Sequence, residues 1–156
     1  MTKFKFKLET VLKVKTRVEE LRKIELREAE LRREKARLEL CRWQDEVEDH
    51  LRLYREKFQK RIQPAEANNY HLYLLWLNRQ VDLALLALDQ CEREVAERRQ
   101  RLIEASKEKK ILEKLKEKAY QAYQAEQLNQ EIKFLDELGT GRYIRDQVAN
   151  QEVHGR

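Results

Sequence analysis

The sequence predicts an all-α protein, a long antiparallel two-helix coiled-coil hairpin, on three observations. Of the 156 residues, 40% are charged and 41% apolar, with only 3 Gly and 1 Pro. That is too few turn formers for a compact globule, and the abundant Glu, Lys, Arg, Leu, Ala and Gln all lose little rotamer freedom in a helix. The single proline, Pro64, interrupts the chain near its middle. On each side of it the apolar residues keep a helical period for dozens of residues, a length that calls for a coiled-coil partner.

The second arm carries the cleaner seam. Leu74, Leu77, Val81, Ala84, Leu88, Cys91, Val95, Arg98, Leu102, Ala105, Lys109 and Leu112 follow an unbroken 3-4 spacing, which is a heptad repeat. The first arm reads Val11, Val14, Val18, Leu21, then Ile24, Leu31, Leu38, then Val47, Leu51, Tyr54, Phe58, with slips in phase near residues 22 and 40 that resemble stammers. In an antiparallel hairpin the numbers of facing residues have a constant sum set by the turn. A turn near residue 66 puts Val81 opposite Leu51, Leu74 opposite Phe58, Leu102 opposite Leu31 and Leu112 opposite Leu21, so that apolar meets apolar throughout.

The expected layout is one hairpin domain over residues 1–138, with a helix at about 8–62, a turn at about 63–69 and a helix at about 70–138. Pro64 disfavours helix in the residue before it, and Asn68 or Asn69 supplies a cap for the new start. Gly139 and Gly141 after Leu138 read as a helix stop, leaving 139–156 as a flexible polar tail. An arm of about 55 residues spans roughly 80 Å at 1.5 Å per residue. Two helices joined along one stripe enclose no ligand-sized pocket.

Function classes narrow accordingly. Without a cleft to desolvate them, the many Glu side chains keep ordinary chemistry and are better explained by i,i+4 pairs with Lys and Arg, so the chain reads as a non-enzyme with no cofactor. His50, His71 and His154 are too scattered for a helical metal pair, and Cys41 and Cys91 read as small core residues. No apolar run approaches the length of a membrane span, and the Lys-Phe alternation of residues 1–8 is unlike a secretory signal, so a cytoplasmic location is expected. The net charge of +5, from 34 basic and 29 acidic residues, is interleaved in sign. Lysine runs at 107–118 and 3–15 leave nucleic-acid binding as a weak alternative, with solvated helix faces the plainer reading.

Two groups stand out. Near the turn, Trp43, Tyr54, Phe58, Tyr70, Tyr73 and Trp76 gather with Leu72, Leu74, Leu75 and Leu77, more apolar bulk than one seam buries. That leaves Tyr70, Tyr73, Leu75 and Trp76 partly outward, either as a docking surface or as a self-association patch of a coiled-coil scaffold. At the N-terminus, Phe4, Phe6, Leu8, Val11 and Leu12 lie among lysines, either as an insertion tip or as staple residues folded onto Leu128, Ile132 and Leu135.

At these residues a family resemblance appears. Phe-Lys-Phe-Lys-Leu-Glu-Thr-Val-Leu-Lys-Val at 4–14 resembles the opening of the flagellar export protein FliJ family. Residues 104–143, with Glu-Lys-Lys-Ile-Leu-Glu-Lys-Leu-Lys-Glu-Lys and Glu-Ile-Lys-Phe-Leu-Asp-Glu-Leu, are similar to its C-terminal signature.

The resemblance implies a hairpin similar to the coiled-coil stalk of the ATP synthase gamma subunit. It also implies a soluble, non-enzymatic component of the bacterial flagellar type III protein export apparatus, serving flagellum biogenesis and motility. Its implied partners are the hexameric export ATPase, whose assembly and activity it promotes, the cytoplasmic domain of the export-gate membrane protein, and export chaperones that it escorts. Its implied place is the cytoplasm, peripherally associated with the membrane at the flagellar base. Carried over by position, Tyr54, Tyr73 and Leu77 match the gate-binding surface, while Trp43, Val47, His50, Gln80 and Ala84 depart from its usual residues. Phe4, Phe6, Leu8, Val11, Leu128, Ile132 and Leu135 would contact the ATPase ring.

Overall fold

The computed structural model describes residues 3–153, with side chains through residue 147. It is an all-α hairpin of two helices, α1 (Glu9–Gln59) and α2 (Pro64–Val153). The chain divides into two compact units, Lys15–Glu108 and a second formed by Met1–Val14 with Lys109–Arg156.

The turn lies earlier than the sequence suggests. At the end of α1 the Lys60 and Arg61 amides donate to the carbonyls of Lys57 (3.0 Å) and Phe58 (3.3 Å), and Arg61 adopts the left-handed conformation at φ 58°. Gln63 then serves as N-cap, its carbonyl accepting from Ala67 N–H at 3.0 Å. Pro64 is therefore the first residue of α2, where a missing amide hydrogen costs nothing and a fixed φ already suits the helix. The expected loop at 63–69 with an asparagine cap is corrected on this ground.

Moving the turn moves the register. Lys57 meets Glu66, Arg98 meets Glu25, Lys15 meets Glu108 and Arg32 meets Glu94, so facing numbers add to about 124 instead of about 132. The expected pairs Val81–Leu51, Leu74–Phe58, Leu102–Leu31 and Leu112–Leu21 are displaced by about one heptad.

Within the Lys15–Glu108 unit, every seam position read on α2 from Leu74 to Ala105 is buried or half-buried, and Leu77 is 0% exposed. The α1 seam is different from the one expected. Glu19, Arg22, Leu26, Ala29, Arg33, Ala36, Leu40, Trp43, Val47, His50 and Tyr54 form an unbroken 3-4 series of buried or half-buried residues, with no stammer. Leu21, Ile24, Leu31 and Leu38, assigned to the seam on apolar character, point outward. The α1 seam is small and polar in its middle third because ion pairs bridge the helices there. Arg98 reaches Glu25 (3.3 Å) and Glu94 (3.8 Å), and Glu94 also pairs with Arg32 (2.6 Å).

In the second unit, Leu12 is buried, Glu9 pairs with Lys116 at 2.8 Å, and Leu112, Ala119 and Tyr123 continue the α2 seam as half-buried residues. Beyond Tyr123 the helix runs on. The glycines at 139 and 141 do not stop it, since neither takes a positive φ, and α2 continues to Val153. A helical glycine costs only about 1 kcal/mol relative to Ala. His154 and the remainder of the expected tail lie outside the described residues.

Candidate interaction surfaces

The first surface lies near the turn, where seam positions of both helices carry rings. Seven of them form a continuous series. Phe58 and Tyr54 lie 6.0 Å apart between centroids, Tyr54 and Tyr70 5.8 Å, and Tyr70 stacks on His50 at 5.2 Å. His50 meets the edge of Tyr73 at 4.8 Å, Tyr73 stacks on Trp76 at 5.6 Å, and Trp76 meets Trp43 edge-on at 5.7 Å. These are the offset and T-shaped geometries that ring quadrupoles favour. The Arg42 guanidinium caps the series 4.8 Å from the Trp43 ring.

His50 is the hub that residue typing alone passes over. It is buried, and its Nε2 lies 2.8 Å from the Tyr70 carbonyl, so that nitrogen carries the proton and donates. The signal for it was positional, since His50 sits at seam spacing between Val47 and Tyr54. With Leu51, Tyr54, Tyr70, His71 and Leu74 it lines a small open cleft.

Of the three residues matched to the gate surface, Tyr73 is exposed and Tyr54 half-buried, whereas Leu77 is fully enclosed and supports the surface from below. Among the neighbouring positions, Trp43, Val47 and Gln80 are half-buried, and His50 and Ala84 are buried. Trp76 and Leu75 point outward as expected. Cys91 is half-buried in the α2 seam, but Cys41 is exposed, one position past buried Leu40, and so is not a core residue.

The second surface is in the unit that holds the N-terminus. Phe4 packs edge-on against Tyr120 (5.3 Å) and tilted against Tyr123 (5.5 Å). Leu128, Ile132 and Leu135 were expected to receive the N-terminal residues. The shifted register gives that role to Tyr120 and Tyr123. Phe4 and Phe6 are half-buried, and Leu8 and Val11 exposed. From residue 124 to 147 every described residue except Gln127 and Gly141 is exposed. Seam spacing after Tyr123 falls on Glu126, Gln130 and Lys133, while the apolar stripe moves to Leu128, Ile132 and Leu135, on another face of the helix. That 4-3 stripe is bare in the monomer.

Among the described residues no group of three or more His, Cys, Asp or Glu side chains is placed to hold a metal, and no helix is long and apolar enough to cross a membrane. The resolved pKa shifts belong to surface ion pairs. A hydrogen bond from Arg22 holds the Glu25 carboxyl below its ordinary value, assisted by the charges of Arg22 and Arg98, and one from Arg37 does the same for Glu34. No curated protein and no solved structure matches the chain. The profile of the family described as flagellar FliJ protein matches residues 4–147, nearly the whole hairpin with both surfaces, so the chain belongs to the flagellar FliJ family, components of the flagellar protein export apparatus.

Proposed function

We propose that this chain is a non-enzymatic stalk that binds the hexameric flagellar export ATPase through its N-terminal residues and the distal part of α2, promotes assembly and activity of that ring, and links it to the export gate. The observation that carries the reading is the bare stripe Leu128, Ile132 and Leu135 beyond the last α1-paired seam position. A single helix with an uncovered apolar face gains little stability from propensity alone and is completed by packing against a partner. Phe4, Phe6, Leu8 and Val11 belong to the same unit and contribute to the same contact.

The ring of aromatics near the turn is the counterpart. Exposed Tyr73, held by His50 and Trp76, presents a rigid amphipathic ring of the kind that anchors interfaces. We assign it, with Tyr54 and the supporting Leu77, to the export gate, and leave export chaperones to the remaining exposed helix faces. A chain that contacts both ring and gate couples their states through a shared binding free energy, while the ATP chemistry stays with the ring. Such a chain works in the cytoplasm, against the membrane at the flagellar base.

Adding the purified chain to the export ATPase and following ATP turnover tests the reading. Turnover rises with the wild type and far less with a Leu128→Ser, Ile132→Ser, Leu135→Ser triple variant. Turnover that is flat across a wide range of wild-type concentration overturns it. Tyr73→Ala is expected to weaken gate binding with helicity intact, and loss of helicity would make Tyr73 a structural residue only.

A further inference from the structure

The outer face of α1 in the Lys15–Glu108 unit carries Leu21, Ile24, Leu31 and Leu38, exposed by 52, 56, 62 and 59%. They recur at intervals of three and seven residues, on the side of the helix away from Glu19, Ala29 and Leu40 of the seam. The charges around this stripe have a definite order. Arg17, Glu20, Arg27 and Glu28 bracket Leu21 and Ile24, and among the described residues none of the four takes part in an ion pair.

The geometry points to a second copy of this chain as the occupant, docked antiparallel through α1 about a two-fold axis between Leu21 and Ile24. In such a pairing facing numbers again have a constant sum, here about 45 when Leu21 of one copy lies on Ile24 of the other. The same axis sets Arg17 against Glu28 at both ends of that apolar centre. Along one flank it sets Glu20 beside Arg27, twice by symmetry. All four unpaired charges thereby meet opposite charges, and none meets its like.

The arrangement is specific to that axis. One heptad farther along, Arg27 meets Glu34, but Glu34 is already held by Arg37 at 2.7 and 3.1 Å. Glu28 then falls on Leu31 and Lys35 on Ile24, which buries charge against apolar side chains. On the other flank of the proposed axis Glu25 approaches its symmetry mate. Its charge is offset within each hairpin by Arg22 at 2.8 Å and Arg98 at 3.3 Å. The α2 outer stripe of Leu72, Trp76, Leu83 and Leu86 lacks this self-complementarity, since Asp82 and Asp89 flank it with one sign of charge.

Sedimentation equilibrium on the full chain under reducing conditions tests the proposal, with far-UV circular dichroism checking that each variant stays helical. The wild type is expected to dimerise reversibly. Glu20→Arg and Arg27→Glu each replace two attractive pairs by two repulsive ones and weaken the dimer about tenfold or more. The double variant Glu20→Arg, Arg27→Glu restores it, as does an equimolar mixture of the two single variants, and Ile24→Lys abolishes it. Three results would each overturn the proposal: a wild type monomeric at all concentrations, a double variant no better than the singles, or a dimer that survives Ile24→Lys and is lost with Trp76→Ser.

Discussion

Within the Lys15–Glu108 unit the end near the turn and the middle are held by different forces. Near the turn, Leu77 is fully enclosed, and the ring series from Phe58 to Trp43 adds aromatic contacts to apolar burial. In the middle, buried seam residues are small, Ala29 and Ala105, and the helices are bridged by Arg98, Glu25, Glu94 and Arg32. Apolar burial is strong and indifferent to register at steps of one heptad. Ion pairs are individually weak but match only when donor and acceptor align. The turn end thus supplies stability, and the middle, with the turn geometry, fixes which residues face each other.

That division predicts unequal responses to substitution. Leu77→Ala, which opens a cavity in the closed seam, is expected to cost about 2–5 kcal/mol in urea unfolding. A loss under about 1 kcal/mol would show that the turn end is not the stable one. His50→Ala removes the donor to the Tyr70 carbonyl and two ring contacts, for an expected cost of about 1–3 kcal/mol. It should also increase the mobility of Tyr73, visible as near-ultraviolet circular dichroism lost without loss of helix.

Arg98→Ala, in the middle, is expected to cost only about 0.5–1 kcal/mol in thermal unfolding, and less at high salt. A cost that ignores salt would mean that Arg98 acts by packing its stem. The smallest effect is that of pH. Arg22 and Arg98 hold Glu25 below its ordinary value of 4.5, so its contribution is fully present above that value and is lost as pH falls through the depressed folded value. Melting temperature followed on acidification below pH 4.5 should fall less in the Arg98→Ala variant than in the wild type.

The same contrast explains what could be read in the sequence. The α2 seam was legible because large apolar residues occupy most of its positions, from Leu74 through Leu102. The α1 seam was not, because Glu19, Arg22 and Arg33 sit inside it while Leu21, Ile24, Leu31 and Leu38 lie outside, so apolar character marked the wrong stripe. The register was misplaced for a physical reason. A heptad repeat matches itself after a shift of one heptad, and only the turn breaks the tie. Pro64 was read as a helix breaker where it is the first residue of a helix. At the candidate surfaces, Tyr73 and Tyr54 were visible as aromatic residues near the turn, whereas His50 was hidden by its residue type. The partners of Phe4 followed the register error from Tyr120 and Tyr123 to Leu128, Ile132 and Leu135.

The central claim is that the uncovered apolar face of distal α2 engages the export ATPase. Amide hydrogen exchange of the full chain, with and without that ATPase, tests it most directly. The account predicts new protection concentrated between residues 124 and 147 when the ATPase is present. Protection confined to the Lys15–Glu108 unit, or no change anywhere, would contradict it.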